Sequence, residues 1–189
     1  RDRYTFCASG MDLELLDWLN TYTFPQEARY EDTEFAKEAY SIFTEDMKKS
    51  PNTRACIFGT LHVPATEILM EQLDKTGIKA MVGKVNMDRN GSPQLQEESA
   101  QASADATVQW IKDTLDKFEN VKPILTPRFT PSCSDALMEK LSEIQKKYHL
   151  PMQSHLSENF GEIAWVKELC PNTHFYGEAY SQFDLFGGD

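Results

Sequence analysis

The chain has 189 residues, and its 40% hydrophobic and 11% aromatic content supports one folded domain and excludes a disordered chain. Its 30 acidic and 19 basic residues give a formal net charge of -11, and such a surface repels nucleic acid and anionic lipid. No apolar run in the sequence approaches the roughly 20 residues that a membrane span requires. We therefore expect a small, neutral or weakly charged substrate, and neither a nucleic-acid nor a membrane partner.

The cysteines indicate the compartment in which the protein works. Cys7, Cys56, Cys133 and Cys170 lie far apart and form neither a CxxC pair nor a closely spaced framework. This usage is typical of reduced thiols, so the sequence predicts a cytoplasmic protein.

The first half of the chain alternates helical patterns with compact apolar runs. Asp12 is the predicted cap of a short amphipathic helix that carries Leu13, Leu15 and Leu16 on its apolar side. A longer helix begins at Thr33 and is stopped by the Ser-Pro pair that follows it. In chain order, the predicted elements are a helix at 12–20, a helix at 33–49, a strand at 54–62, a helix at 64–77 and a strand at 78–87.

The second half repeats this alternation after a loop whose composition is rich in Asn, Gly and Pro. Ser134 is the predicted cap of its second helix. In chain order, the predicted elements are a loop at 88–94, a helix at 97–118, a strand at 121–126, a helix at 134–149 and a strand at 151–156. A helix through Ile163, Val166 and Leu169 follows and extends up to Pro171, and a short helix is predicted at 179–183.

Strands that alternate with helices through short connections indicate a parallel sheet covered by helices, which is an α/β fold. An open nucleotide-binding sheet usually carries a Gly-rich phosphate turn after an early strand, and none follows these strands. The pattern therefore favours a (β/α)8 TIM-type barrel over an open sheet. A complete barrel takes roughly 250 residues, whereas about four strands are predicted here, so we expect residues 1–189 to form a single, partial barrel domain.

Polar residues follow each of the four predicted strands, at the end where a barrel carries its chemistry. The four strand ends are 60–62 (Thr-Leu-His), 86–88 (Asn-Met-Asp), 126–129 (Thr-Pro-Arg-Phe) and 154–158 (Ser-His-Leu-Ser-Glu). Since these ends meet on one rim of a parallel barrel, they predict a site on that rim.

His155 is the candidate metal ligand at the last of these ends. Imidazole is a common ligand for zinc or iron, although a structural histidine that bonds a backbone carbonyl is an equally ordinary reading of the same residue. His62 occupies a similar place, and we expect it to support the rim rather than to bind metal. His149 and His174 fall in predicted loops and are expected to be solvated.

Glu158 and Arg128 are the candidate polar partners of His155. A carboxylate three residues beyond a metal ligand can act as a general acid and base, and it can equally be an ordinary carboxylate near a helix N-terminus. Arg128 can pair with a surface acid, or it can bind the carbonyl edge of a planar heterocycle while Phe129 lies against the ring.

Several well-known catalytic patterns are missing from the sequence. It has no HExxH motif, and it lacks the HxE and PCxxC pair of the cytidine-type deaminases. It also has no GxSxG nucleophile elbow. These absences leave the four strand ends as the predicted location of the chemistry.

Four stretches, in order along nearly the whole chain, resemble guanine deaminases of the metal-dependent amidohydrolase superfamily. They are GMDLELLDWLNTYTFPQEARY, VGKVNMD, VKPILTPRFTPSCS and MQSHLSEN, and the combination of TPRF-x-x-SCS with QSHLSEN is the specific part. The resemblance implies an incomplete (β/α)8 barrel, one zinc ion and the hydrolysis of guanine to xanthine and ammonia. It also implies that the complete protein is a homodimer.

The same resemblance implies a role for each matching residue. His155 is similar to a metal-ligand histidine that also lies at the substrate, and Glu158 is similar to a glutamate that shuttles protons from the attacking water to the ring and to the leaving amine. Arg128 and Phe129 are similar to a pair that grips the purine. Zinc suits this chemistry because it lowers the pKa of bound water from about 16 to about 7.

The sequence also departs from the family pattern. The family carries an HxH pair on a first strand before the GMDL stretch, and a further histidine and a metal-binding aspartate on later strands; none of these is present, and Arg3 stands where the family has glutamine. We therefore expect these 189 residues to lack useful activity on their own. Two alternatives stay open: a hydrolase of another heterocycle in the same superfamily, such as an adenine derivative, a cytosine or a triazine, and a non-catalytic fragment.

Overall fold

The computed structural model of the protein describes residue 10 and residues 12–185. Its helices are α1 (Leu15–Trp18), α2 (Phe24–Ala28), α3 (Thr33–Lys49), α4 (Val63–Asp74), α5 (Ala100–Thr114), α6 (Asp135–Tyr148), α7 (Phe160–Leu169) and α8 (Glu178–Ser181). Its strands are β1 (Arg54–Phe58), β2 (Lys79–Gly83), β3 (Val85–Asn86), β4 (Val121–Pro123) and β5 (Thr126–Pro127). A π-helical turn (Leu19–Thr23) and two 3-10 turns (Arg29–Glu31, Thr130–Ser132) complete these elements.

The strands form parallel ladders in the order expected for part of a barrel. β2 lies between β1 and β4, β3 pairs with β5, and all of these pairings are parallel. The single strand predicted at 78–87 is divided into β2 and β3, and the single strand predicted at 121–126 is divided into β4 and β5. A further parallel bridge joins Leu125 to Met152, so the chain adds its last extended segment beside β4 and β5.

Gly83 explains how close the neighbouring strands come at the end of β2. A Cβ atom at this position would lie 1.7 Å from Oγ1 of Thr126 and 2.8 Å from the main-chain oxygen of Ile124. A larger residue therefore has no room here, and glycine allows β2 and β5 to approach each other. The strand ends that follow are held in a common rim by this contact.

The core consists of two apolar clusters. The larger cluster joins the sheet to helices α3 to α8 and includes Leu69, Trp110 and Leu141, all fully buried. The smaller cluster lies at the rim and joins the N-terminal helices to the strand ends through Leu19, Phe24, Val85, Met87, Leu95 and Phe129. The rim is thus packed by a separate cluster of its own.

The N-terminal helix is longer than predicted and begins later. Asp12 is not its cap: α1 begins after Glu14, and the helical backbone continues through the π-helical turn and α2 to Glu31. Leu13, expected on the apolar side, is 40% exposed, whereas Leu15 and Leu16 pack against the rim cluster. Pro25 sits in the first turn of α2, and the π-helical turn directly precedes it, since proline offers no N–H to continue the regular ladder.

The other predicted elements differ mainly at their ends. The helix predicted at 33–49 is confirmed as α3, and Ser134 is confirmed as the cap of α6, where its side chain accepts from the N–H of Leu137. The strand predicted at 151–156 is wrong as a strand, because only Met152 makes a bridge and the residues after it are extended without a ladder. None of the described helices combines the length and the apolar character needed to cross a bilayer.

Candidate active site

His155 lies at the rim, directly after the extended segment that adds to the sheet. Its Nδ1 is 2.7 Å from the main-chain oxygen of Arg128, and its ring packs on Phe58 with 4.5 Å between the ring centroids. A carbonyl oxygen only accepts, so Nδ1 carries the proton and the lone pair of the neutral ring lies on Nε2. A second-layer hydrogen bond of this kind orients many metal-binding histidines, so the structural and ligand readings of His155 are compatible.

Tyr180 forms hydrogen bonds that fix the backbone of the segment around His155. Its hydroxyl donates to the main-chain oxygen of His155 at 2.7 Å, accepts from the N–H of Thr130 at 3.2 Å and lies 2.8 Å from Oγ of Ser154. Tyr180 is fully buried, and burial raises the pKa of its hydroxyl, which therefore stays protonated. No local sequence pattern indicates this role, because the contacts join α8 to segments that lie 25 or more residues away.

Arg128 is buried and paired with an acidic residue from the N-terminal helices. Nη1 of Arg128 lies 2.6 Å from Oε2 of Glu27, and the two side chains are only 7% and 1% exposed. The guanidinium also lies over the ring of Phe24, with Cζ 4.8 Å from the ring centroid. Arg128 thus does pair with an acid, but the pair is in the interior and not on the surface.

Phe129 belongs to the rim cluster. Its side chain is 7% exposed, and its ring meets Trp165 edge-on with 6.4 Å between centroids. The ring is therefore held by protein on at least one side, and its contact with a substrate remains a prediction.

Glu158 lies on the loop between His155 and α7. Its side chain is exposed, and its N–H donates to Oε2 of Glu162 at 2.8 Å. Among the described residues, no hydrogen bond or ion pair reaches the carboxylate of Glu158. Asn159, and not Glu158, caps α7, so the dipole of that helix does not require an acid at 158.

Asp88, at one of the predicted strand ends, is used in folding. Its two carboxylate oxygens lie 2.7 Å from the N–H of Ser134 and 2.5 Å from Oγ of Ser134. These bonds tie the end of β3 to the start of α6. Asp88 is therefore a structural residue in this part of the chain.

The buried polar groups behind β3 form a network that sequence reasoning missed. Lys84 is 1% exposed and ion-paired with Glu97, whose Oε2 accepts from the N–H of Met87 at 3.1 Å and from Oγ of Ser103 at 2.5 Å. Burial lowers the pKa of Lys84, while the neighbouring Glu97 opposes that shift. A charged pair inside a sheet–helix interface carries no local sequence signal.

Among residues 10 and 12–185, no three His, Cys, Asp or Glu side chains come together in a way that could hold a metal ion. His62 is half-buried, and burial lowers its pKa, so its ring is neutral near pH 7. Burial raises the pKa of Cys133 to about 12, which keeps it a thiol rather than a ligating thiolate.

His149 and His174 are exposed, as predicted. Arg3 and Cys7 lie outside the described residues.

The described cysteines Cys56, Cys133 and Cys170 are free thiols, in agreement with the prediction from their spacing. Nδ1 of His155 carries the proton, which is the tautomer that a histidine binding a metal through Nε2 would need.

The parallel α/β layer carries His155 and Arg128 in contact at one edge. The amidohydrolase family model matches residues 5–188, and the chain belongs to the amidohydrolase family. Its fold is a part of the family's TIM-type barrel, as the alternation of strands and helices predicted.

Within that family, the chain is similar to guanine deaminases. It is 43% identical to the guanine deaminase of Rattus norvegicus over 184 residues, which are 97% of this chain and 40% of that protein. The crystal structure of a guanine deaminase from C. acetobutylicum with bound guanine matches with a TM-score of 0.96 and 48% identity, over 99% of this chain and 44% of the other.

An adenosine deaminase from Xanthomonas campestris with bound zinc shares the fold alone, with a TM-score of 0.74 and 16% identity over 92% of this chain and 37% of the other.

The chain spans about 40% of the length of the curated relatives that it matches. The resemblance read from the four stretches of sequence is confirmed.

Proposed function

We propose that the protein in which these residues work is a guanine deaminase, which hydrolyses guanine to xanthine and ammonia. The observation that carries this proposal is the 2.7 Å hydrogen bond between Nδ1 of His155 and the main-chain oxygen of Arg128. It joins an imidazole of metal-ligand type to the segment that carries the proposed purine-binding residue. The likeness to guanine deaminases supports the choice of substrate.

We further propose that residues 1–189 are one portion of an amidohydrolase barrel. The face of the sheet opposite the helices supports this: Cys56 of β1 is exposed, and Met81, paired with it in β2, is 39% exposed. In a complete barrel such side chains fill the interior in layers. The proposed complement is a first strand with the HxH pair and later strands with a histidine and an aspartate.

The proposed cofactor is one zinc ion, and Nε2 of His155 would hold it. The Nδ1 bond to a carbonyl fixes the tautomer that ligation requires. When bound, zinc supplies a water that is ionised near neutral pH. The other ligands would come from the proposed complement of the barrel.

The chain's own residues would bind the purine and move protons. Arg128 would donate to a carbonyl edge of guanine, and Phe129 and His155 would contact the ring. Glu158 would take a proton from the attacking water and deliver it to the ring nitrogen N3. It would then take the remaining proton from the new hydroxyl group on C2 and deliver it to the departing amine. Water adds at C2 and the bond to the exocyclic nitrogen breaks, which gives xanthine and ammonia.

Replacement of Glu158 by glutamine tests this assignment. In the full-length protein, E158Q is expected to lower kcat for ammonia release from guanine by about 10²-fold or more, as loss of a general acid and base does. The thermal midpoint should not change, because the side chain is exposed. The control is E168Q, the same chemical change at an exposed position of α7. Equal rates of ammonia release from E158Q and the unmodified protein would refute the proton-shuttle role.

A second candidate is the hydrolysis of another ring within the same family. A panel of guanine, adenine derivatives, cytosine and a triazine separates the two, since the guanine proposal requires guanine to have the highest kcat/KM. One observation favours the non-catalytic alternative: among the described residues, no three His, Cys, Asp or Glu side chains are grouped closely enough to hold a metal ion.

We also propose a role in purine catabolism, a cytoplasmic location and a homodimer for the complete protein. The free thiols support the location.

A further inference from the structure

Glu27 has no part in the proposed proton transfers, yet it is among the most deeply buried charged residues of the chain. Its side chain is 1% exposed, and Oε2 lies 2.6 Å from Nη1 of Arg128, which follows it by 101 residues. Both charges are therefore removed from water to make a contact between α2 and the end of β5.

The stability of the fold is a poor explanation for burying this ion pair. Removing two charges from water costs several kcal/mol per ion, and apolar residues of similar volume are often equally stable in the same place. The surroundings are already apolar, since Phe24, Met87 and Phe129 belong to the rim cluster. A buried ion pair in such a cluster points to a requirement on the orientation of Arg128.

The contacts around the guanidinium meet that requirement. Phe24 lies one helical turn before Glu27, and its ring centroid is 4.8 Å from Cζ of Arg128. Sδ of Met87 is 3.7 Å from Nη1. A carboxylate at one nitrogen and an aromatic face below it fix both the rotation and the plane of the guanidinium. Its remaining N–H donors therefore keep fixed directions.

We propose that Glu27 is a positioning residue, which orients Arg128 to donate to a planar ring that carries a carbonyl group. This inference rests on the proposed function, since it needs Arg128 to contact the purine. The pair also sets the class of ligand. Glu27 neutralises the charge of Arg128, so the site favours a neutral lactam ring, while a carboxylate or phosphate group would compete with Glu27 and meet its repulsion.

The test uses E27Q in the full-length protein, with guanine as substrate. Glutamine keeps the shape and an acceptor oxygen but removes the charge, so KM is expected to rise about 10-fold or more, the value of one charge-assisted hydrogen bond. The turnover number should change by less than about 3-fold, because an interaction made equally in the bound and transition states affects KM alone. A purely structural defect would reduce the amount of active protein and leave KM unchanged.

A double-mutant cycle and a matched control test whether Glu27 changes KM through Arg128. If Glu27 acts only through Arg128, the variant E27Q/R128Q has the same KM as R128Q. The control is E45Q, which removes the carboxylate of an exposed ion pair with Lys48 on α3 and should leave KM unchanged. F24L keeps an apolar side chain beneath the guanidinium but removes the aromatic face, and it should raise KM by a smaller factor.

The outcomes separate this inference from the proposed function. A raised KM in R128Q with an unchanged KM in E27Q overturns the role of Glu27 and leaves the proposed function in place. Unchanged KM in both variants removes Arg128 from the substrate and with it this inference. An unmodified protein that does not hydrolyse guanine overturns both. If E27Q does not fold, F24L supplies the measurement, and an unchanged KM in F24L rejects the positioning role.

Discussion

One hydrogen bond determines which nitrogen of His155 carries the proton. The main-chain oxygen of Arg128 accepts from Nδ1, so the proton is fixed there and the lone pair is directed from Nε2. The tilted ring contact with Phe58 restricts the imidazole, and the bond from Tyr180 restricts the backbone of His155. Three neighbouring residues thus determine the tautomer and the orientation of His155.

The hydroxyl of Tyr180 gives a prediction at this scale. Y180F removes a donor to His155 and an acceptor for the N–H of Thr130, and it leaves both groups buried without that partner. We expect a loss of about 1–3 kcal/mol in the free energy of unfolding, measured by urea denaturation. The control Y148F, at a half-buried position near the end of α6, should change it by less than about 0.5 kcal/mol. Equal stability of Y180F and the unmodified protein would contradict the assignment.

At the scale of elements, the N-terminal helical segment shows how one proline shapes the rim. The π-helical turn at Leu19–Thr23 directly precedes Phe24 and Pro25, and α2 then presents Phe24 and Glu27 to Arg128. π-Helical turns inside helices are often found at functional sites, where they change the direction in which side chains project. The sequence predicted a helix that ends at residue 20, whereas the helical backbone continues to Glu31.

The start of α7 determines the position of the loop that carries Glu158. Oδ1 of Asn159 accepts from the N–H of Gly161 at 2.7 Å, and Oε2 of Glu162 accepts from the N–H groups of Asn159 and Glu158. This capping box satisfies donors at the helix start and bonds the backbone of Glu158 to the same carboxylate.

N159A is expected to destabilise the protein by about 1 kcal/mol, the usual cost of losing a cap. Amide hydrogen exchange should also become faster in the first turn of α7, because the cap no longer holds it. The control is N172A at an exposed position. Unchanged exchange in the first turn would show that packing of the helix, and not the cap, holds the loop.

For the whole molecule, the sheet divides the chain into a packed side and an open side. Helices α3 to α6 cover one face, whereas Cys56 and Met81 on the opposite face are exposed. The proposed barrel would enclose this open face and would bring further ligands to His155. Metal binding is therefore a property expected of the complete barrel.

Zinc content tests this expectation. The 189-residue chain, purified and dialysed against zinc, is expected to retain far less than one ion per chain, because a catalytic site needs about three protein ligands. The full-length protein should retain about one ion per chain and lose it in H155A. Zinc is measured by mass spectrometry of the digested protein. Stoichiometric zinc in the 189-residue chain that disappears in H155A would mean that this chain supplies a complete site.

Features that depend on neighbours along the chain could be predicted from the amino-acid sequence. Helical periodicity and capping residues located α3 and α6, and the alternation of strands and helices indicated a partial parallel barrel. The same pattern placed His155 and Arg128 at strand ends that the structure brings into contact. These features could be predicted because the spacing of apolar residues and the capping of helix ends each depend on only a few neighbouring residues.

Contacts between groups that are distant along the chain became visible in the folded structure. Neither the pair formed by Glu27 and Arg128 nor the contacts of Tyr180 leave a local pattern, since their partners lie 25 to 101 residues apart. The break between β2 and β3 and the single bridge at Met152 likewise depend on neighbouring strands. The physical reason is that a buried polar group is satisfied by whichever partner packing brings near, and packing is a property of the whole chain.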